Sequence, residues 1–248
     1  VSQLVKLLRT AGRSTGRPAA GFGTHQETAR KRLIVVAVLE TAAVDKARQA
    51  LEAGADAVEV VFDRGKGAVA KLKELAAALD APVGAVLPGA VERDFNFAEL
   101  EGLGLDYVKV EAGDVPASVF LLEGPAVVLD VRESFGDTML KMLNFLPAKV
   151  VQVDAPDNIR DFSVKQLMEK RVDRELIGKP LLMKVGPEVR PESAKLLALV
   201  APNGLVVPAA DVKGWVEAAA ELKEPVDADE DTGANISLRV PSETTARR

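Results

Sequence analysis

The chain has 248 residues, 48% hydrophobic and 28% charged, with a formal net charge of -5. That length suits one β/α barrel or two small domains, and the acidic balance argues against nucleic acid or an anionic membrane as partner. With no cysteine in the chain, a disulfide framework, a thiolate metal site and a cysteine nucleophile are all excluded.

The N-terminus, VSQLVKLLRTAGR, has the pattern of a short amphipathic helix and lacks the continuous apolar core of a secretory signal. A Gly-rich stretch follows, GRSTGRPAAGFGTH. Its glycines at 16, 21 and 23 have neither P-loop spacing nor a strand before them, and His25, the one histidine, reads as a solvated loop residue. Residues 1–31 are therefore expected to form a helical and Gly-rich extension, with Arg30, Lys31 and Arg32 as a polar lead into the first strand.

From Leu33 onward one unit recurs: a short β-branched run, then an amphipathic stretch. The runs are LIVVAVL from Leu33, DAVEVVF from Asp56, APVGAVL from Ala81 and LDYVKVE from Leu105; then PAVVLDV from Pro125, AKVVQVD from Ala148, KPLLMKV from Lys179 and NGLVVP from Asn203. Their starts recur every ~20 to 30 residues, room for one strand, one helix and two short loops. Between them, AAVDKARQALEAG sets Val44, Ala47 and Leu51 on one stripe and stops at Gly54, as a helix does. RPESAKLLALVA places Pro191 near a first turn, where its missing N–H costs little.

Strands separated by helices must run parallel with right-handed crossovers, and eight such units close a cylinder without edges. No GxGxxG follows the first strand, which disfavours an open dinucleotide-binding sheet. The expected fold is a single-domain (β/α)8 TIM barrel over residues 32–224. The tail 225–248, poor in large apolar residues and rich in charge, is expected to be mobile. No apolar run is long enough to cross a bilayer, so a cytoplasmic location is the default. Trp215, on the last helix, reads as a packing anchor or as part of a subunit interface in a homo-oligomer.

Parallel barrel strands should be almost continuously apolar, and several of these are not. Glu59 and Asp63, Lys109 and Glu111, Asp130 and Arg132, Gln152 and Asp154, and Lys184 interrupt five of the runs. In each run the residues between them are apolar, so alternation sends the apolar set to the helices and the polar set into the barrel. The polar residues crowd toward the C-terminal strand ends, where β/α barrels carry their chemistry. Buried charges need partners; strand adjacency suggests Lys109 beside Asp130 and Asp154 beside Lys184.

A lysine in a desolvated mouth, near a second cation, can exist partly as free amine and form a Schiff base with a carbonyl. A neighbouring carboxylate then shuttles the protons. Lys109, with Glu59, Asp130 or Glu111 as acid/base and Lys184 as second cation, supplies these parts; the two lysines can also exchange roles. Glu111, Arg132, Gln152 and Asp154 are the candidate substrate-binding residues. Glu40, Glu133 and Asp157 read as solvated loop charges.

The Glu in ADAVEVVF and the Lys in PLLMKVG followed by RPESAKLLA resemble class I aldolases of the β/α-barrel type, including keto-deoxy-phosphogluconate and deoxyribose-phosphate aldolases. The resemblance is at the level of the fold and covers most of residues 33 to 223. It implies an aldolase-type lyase acting on a small oxo-acid or sugar, with no cofactor, Glu59 in proton transfer and Lys184 assisting. The sequence departs from that pattern at strand six, where Gln152 stands in place of the Schiff-base lysine; transaldolase-like relatives use strand four, which Lys109 fits. Gly186 is the one glycine after strand seven and Asp211 follows strand eight, so the usual phosphate cradle is not expected.

Two alternatives stand beside this reading. Glu111, Asp130 and Asp154 end three successive strands and offer oxygen ligands to Mg²⁺ or Mn²⁺ in a metal-assisted lyase or isomerase. A barrel retained as a binding or scaffold protein, its charges paired internally, is the other. In each, the expected partner is a small molecule, not nucleic acid or membrane.

Overall fold

Eight short apolar runs, seven of them valine-rich, form eight parallel strands, because β-branched side chains suit a pleated surface covered on both faces. The structure, a computed structural model, describes residues 2–11 and 33–222, apart from 64, 66, 90, 92–94, 114, 132–134 and 157–161. The strands are β1 (Ile34–Leu39), β2 (Ala57–Val61), β3 (Val83–Leu87), β4 (Tyr107–Glu111), β5 (Ala126–Val131), β6 (Val150–Asp154), β7 (Leu181–Lys184) and β8 (Gly204–Pro208). Each pairs with the next, and β8 returns to β1, closing the barrel. All eight sequence-predicted strands are present.

Helices α2 (Val44–Glu52), α3 (Ala68–Ala77), α4 (Asp137–Met142), α5 (Val164–Leu176), α6 (Ala194–Leu197) and α7 (Val212–Ala220) follow β1, β2, β5, β6, β7 and β8. Among the described residues, β3 and β4 are followed instead by 3-10 turns at Phe97–Leu100 and Ala117–Leu121. The expected strict alternation of strand and α-helix relaxes here for a local reason. Pro116, Gly124 and Pro125 leave too short a span between β4 and β5 for an α-helix and its loops. Among the described residues, no helix is long and apolar enough to cross a membrane.

Side-chain alternation divides the interior into two cores. Outward residues such as Val58, Val60, Val108, Leu129, Val151 and Met183 pack with the helices, joined by Trp215. Trp215 is fully buried, the packing role expected for it, and its indole N–H has no partner among the described residues. Inward residues Ile34, Val36, Ala57, Tyr107, Ala126, Val128, Val150, Leu182 and Val206 form the second core.

The second core is completed by α1 (Gln3–Thr10). Leu4, Val5 and Leu8 are buried against the inward strand residues, so the helix plugs the N-terminal end of the cylinder. Asp106, just before β4, caps it: its carboxylate accepts from Ser2 Oγ at 2.6 Å, from Gln3 N at 2.6 Å and from Leu4 N at 2.9 Å. These are the backbone donors a helix start leaves unpaired, and a negative charge there also favours the helix dipole. At the other end, Asn203 Nδ2 donates to Leu8 O at 3.1 Å while its Oδ1 accepts from Leu181 N at 2.8 Å. Gly204 leaves room for this plug; a Cβ there would lie 2.7 Å from Ile34 O and 3.1 Å from Leu8 Cδ2.

Candidate active site

The strand registers sort the inward side chains into layers, because a tilted barrel climbs about one residue per strand. At the bottom lie Ala57, Tyr107, Val150 and Gly204, then Val36, Gly84, Val128 and Leu182. Glu59, Lys109, Gln152 and Val206 form the third layer, one from each even-numbered strand. Above them come Val38, Val86, Asp130 and Lys184, and at the rim Val61, Glu111, Asp154 and Pro208.

The third layer is a buried polar floor: Glu59, Lys109 and Gln152 are the three polar or charged residues buried among those described. Lys109 Nζ donates to Glu59 Oε1 in a close ion pair and to Gln152 Oε1 at 3.0 Å. Gln152 Nε2 then donates to Asp130 Oδ1 at 2.9 Å. The amide thus turns its carbonyl to the ammonium and its NH₂ to the carboxylate, the one orientation that satisfies both. From below, the Tyr107 hydroxyl donates to Glu59 Oε2 at 3.4 Å. Burial, with the Glu59 carboxylate beside it, holds the Tyr107 hydroxyl well above its usual range, so it stays a neutral donor. Gly84 makes space for that ring, since a Cβ there would come within 2.2 Å of it.

Above the floor the barrel opens. Val38, Val61, Val86, Pro208, Glu111, Asp130 and Asp154 are each partly exposed, and Lys184 is exposed, while outward neighbours such as Leu39, Val60, Leu87 and Val110 stay buried. The mouth has two unlike halves. Strands β8, β1, β2 and β3 contribute Pro208, Val38, Val61 and Val86; strands β4 to β7 contribute Glu111, Asp130, Asp154 and Lys184.

Of the residues expected at the site, Glu59, Lys109, Gln152 and Asp130 are joined in one chain of hydrogen bonds, and Glu111, Asp154 and Lys184 ring the mouth above it. Lys109 does not pair directly with Asp130 as strand adjacency suggested. Barrel layers unite alternate strands, so Lys109 reaches across to β2 and β6, and Gln152 carries the link to Asp130. Asp63 lies past the end of β2, exposed, accepting from Gly65 N at 2.9 Å within its own turn. Among the described residues no group of three or more His, Cys, Asp or Glu could hold a metal ion. Glu111 and Asp154 stand at one level two strands apart, with Asp130 one layer below between them. Arg132, Glu133, Asp157, His25, the glycines at 16, 21 and 23, Arg30, Lys31, Arg32 and the tail from 225 lie outside the described residues.

Sequence reasoning missed two contributions. Tyr107 shares the inward phase of Lys109 two residues earlier, a signal masked by reading an aromatic as plain core. The apolar half of the mouth was also passed over, because only polar interruptions drew notice.

No family model matches the chain, and no curated protein matches it. Solved structures do. Thiamine phosphate pyrophosphorylase from Pyrococcus furiosus is 15% identical with a TM-score of 0.58, over 77% of this chain and 97% of that one. N-(5'-phosphoribosyl)anthranilate isomerase from Pyrococcus furiosus is 18% identical with a TM-score of 0.57, over 77% and 100%. KGPDC from Streptococcus mutans is 10% identical with a TM-score of 0.59, over 76% and 97%. At such identities the likeness is one of architecture: the chain is a TIM barrel.

Proposed function

We propose that the barrel mouth is an active centre of aldolase type, in which Lys109 forms a Schiff base with a small oxo compound. The observation that carries this reading is the buried lysine itself. A lysine almost never lies in a core unless paired, and this one sits beneath an open mouth with a carboxylate in contact.

In this reading Glu59 takes the proton of the Lys109 ammonium, leaving a free amine. The amine attacks the substrate carbonyl carbon, and the oxygen takes up a proton to give a carbinolamine. Loss of water, assisted by protonation from Glu59, leaves an iminium. As the carbon–carbon bond β to nitrogen breaks, the substrate's β-hydroxyl gives up its proton to become a carbonyl and the electron pair moves into the iminium, leaving an enamine. A proton returned to the enamine carbon restores the iminium, which water hydrolyses to release the second product and the lysine. Asp130, tied to the floor through Gln152, is the proton acceptor nearer the solvent. Lys184, exposed in the layer of Asp130 just below the rim, meets a substrate carboxylate that the acidic wall would otherwise repel. The apolar half-wall of Val38, Val61, Val86 and Pro208 favours an oxo-acid with a hydrocarbon portion over a polyhydroxylated sugar.

The test is borohydride reduction in the presence of small oxo-acids, read by mass spectrometry of peptides. The expected result is a reduced adduct on Lys109 that is lost in Lys109→Met. An adduct on Lys184 alone moves the nucleophile up into the exposed mouth, and no adduct on either lysine overturns the Schiff-base reading in favour of an internal ion pair in a non-catalytic barrel.

A further inference from the structure

Nine large hydrophobic side chains are exposed among the described residues, and seven of them fall between residues 139 and 172. They are Met139, Met142, Phe145 and Leu146 around α4, and Val164, Met168 and Val172 on α5. Helix α5 runs 13 residues without one fully buried side chain, and its three exposed apolar residues recur every fourth position, so they form one stripe. Phe145 is 80% and Val164 74% exposed, values without an energetic reason in a side chain facing water alone.

The two segments form a single surface. Helix α4 packs against α5. Asn144, just past α4, donates to Leu176 O at 2.8 Å and accepts from Gly178 N at 2.8 Å, clasping the end of α5. Lys179 Nζ donates to Leu146 O at 3.0 Å. A face fastened in this way is preformed rather than loose.

We propose that this α4–α5 face is an interface that binds the same face of a second copy of the chain, giving a two-fold dimer. From the fractional exposures, the seven side chains present about 700 Å² of apolar surface. That approaches the ~800 Å² that each partner contributes to a stable interface of standard size. The charges around the stripe suit a like partner. Along α5 the cations Lys165, Lys170, Arg171 and Arg174 are mixed with the anions Glu169, Asp173 and Glu175, with Lys165 3.8 Å from Glu169 and Arg171 3.0 Å from Glu175, so the helix carries a net charge of only +1. Two identical faces therefore meet without the repulsion that a net charge of -5 produces elsewhere on the molecule. An apolar patch whose rim mixes both signs of charge can be self-complementary, as a two-fold contact requires.

The methionines supply the test. Met139, Met142 and Met168 lie on the face, and Met183 is buried in the outer core. The full chain is examined by sedimentation equilibrium across a concentration series and, in parallel, by peroxide oxidation of the same samples. The expected result is a species of twice 26.3 kDa, with the three surface methionines protected in step with dimer formation and Met183 resistant throughout. Val164→Glu with Met168→Lys should leave the circular dichroism unchanged and shift the dimer to monomer by at least tenfold in Kd. Leu121→Lys, exposed outside the face, should not. Three outcomes overturn the proposal: a monomer whose surface methionines oxidise freely, a monomer whose methionines are protected at every dilution because another part of the chain covers them, or a dimer that survives the double substitution.

Discussion

The two ends of the barrel are built on opposite principles. At the N-terminal end α1 presses leucine and valine into the cylinder, and the polar atoms there, on Asp106 and Asn203, are spent on the helix's own termini. At the C-terminal end half of the eight inward positions above the floor carry charges, and all eight meet water. Between the two lies the floor of Glu59, Lys109 and Gln152, where a layer normally filled with branched hydrocarbon holds an ion pair instead. The lower end is arranged for stability, and the upper end gives stability up. The difference explains how a small barrel tolerates a buried ion pair, since the apolar plug beneath it compensates for what desolvating two charges costs.

That contrast can be broken most sharply at the floor. Glu59→Leu leaves the Lys109 charge buried without its partner and is expected to cost about 3–5 kcal/mol in urea unfolding. The double variant Glu59→Leu with Lys109→Met should recover most of that loss while yielding no borohydride adduct. A double variant as unstable as the single would show that the pair is not coupled. At the plug, Leu8→Ala opens a cavity inside the cylinder and is expected to cost about 2–5 kcal/mol. Asp106→Ala, removing the cap of α1, should cost about 1–2 kcal/mol by the same measurement. In the mouth, Lys184→Ala should stay within about 0.5 kcal/mol of the parent, because an exposed strand-end lysine packs little.

The pH dependence tests the floor from below. Tyr107 is the one tyrosine in the chain, and its ionisation in the fold is pushed upward, chiefly by burial and then by Glu59. The unfolded chain ionises near the ordinary tyrosine value of about 10 while the folded chain remains neutral. Its contribution to stability is therefore complete below about pH 10 and lost as pH rises toward the folded-state value. Tyrosinate absorbance should thus appear only with unfolding; a tyrosinate band in the folded protein at pH 10 would show the hydroxyl to be solvated. Tyr107→Phe should flatten the alkaline end of the stability curve.

The cylinder was legible because its signal is repeated: eight apolar runs in phase leave few topologies, and the polar interruptions share the inward phase. Partners were less legible. Strand adjacency is what a linear pattern suggests, whereas the Lys109 ammonium meets residues two strands away on either side, a consequence of tilt that no local window contains. The 3-10 turn after β4 was likewise hidden, since a period count sees apolar spacing before it sees too little chain for an α-helix. The role of α1 had no local signature at all. Its amphipathic pattern announces a buried stripe without saying against what.

The contacts of α1 also constrain the order in which the molecule can assemble. Ser2 meets Asp106 across 104 positions, and Leu8 meets Asn203 across 195. The helix has no seat until the strands beginning near both of those residues stand side by side, so its docking is a late event in folding, delayed by the loop entropy of nearly the whole polypeptide. This helix, which precedes every strand in the sequence, is thus a latch that waits for the last of them.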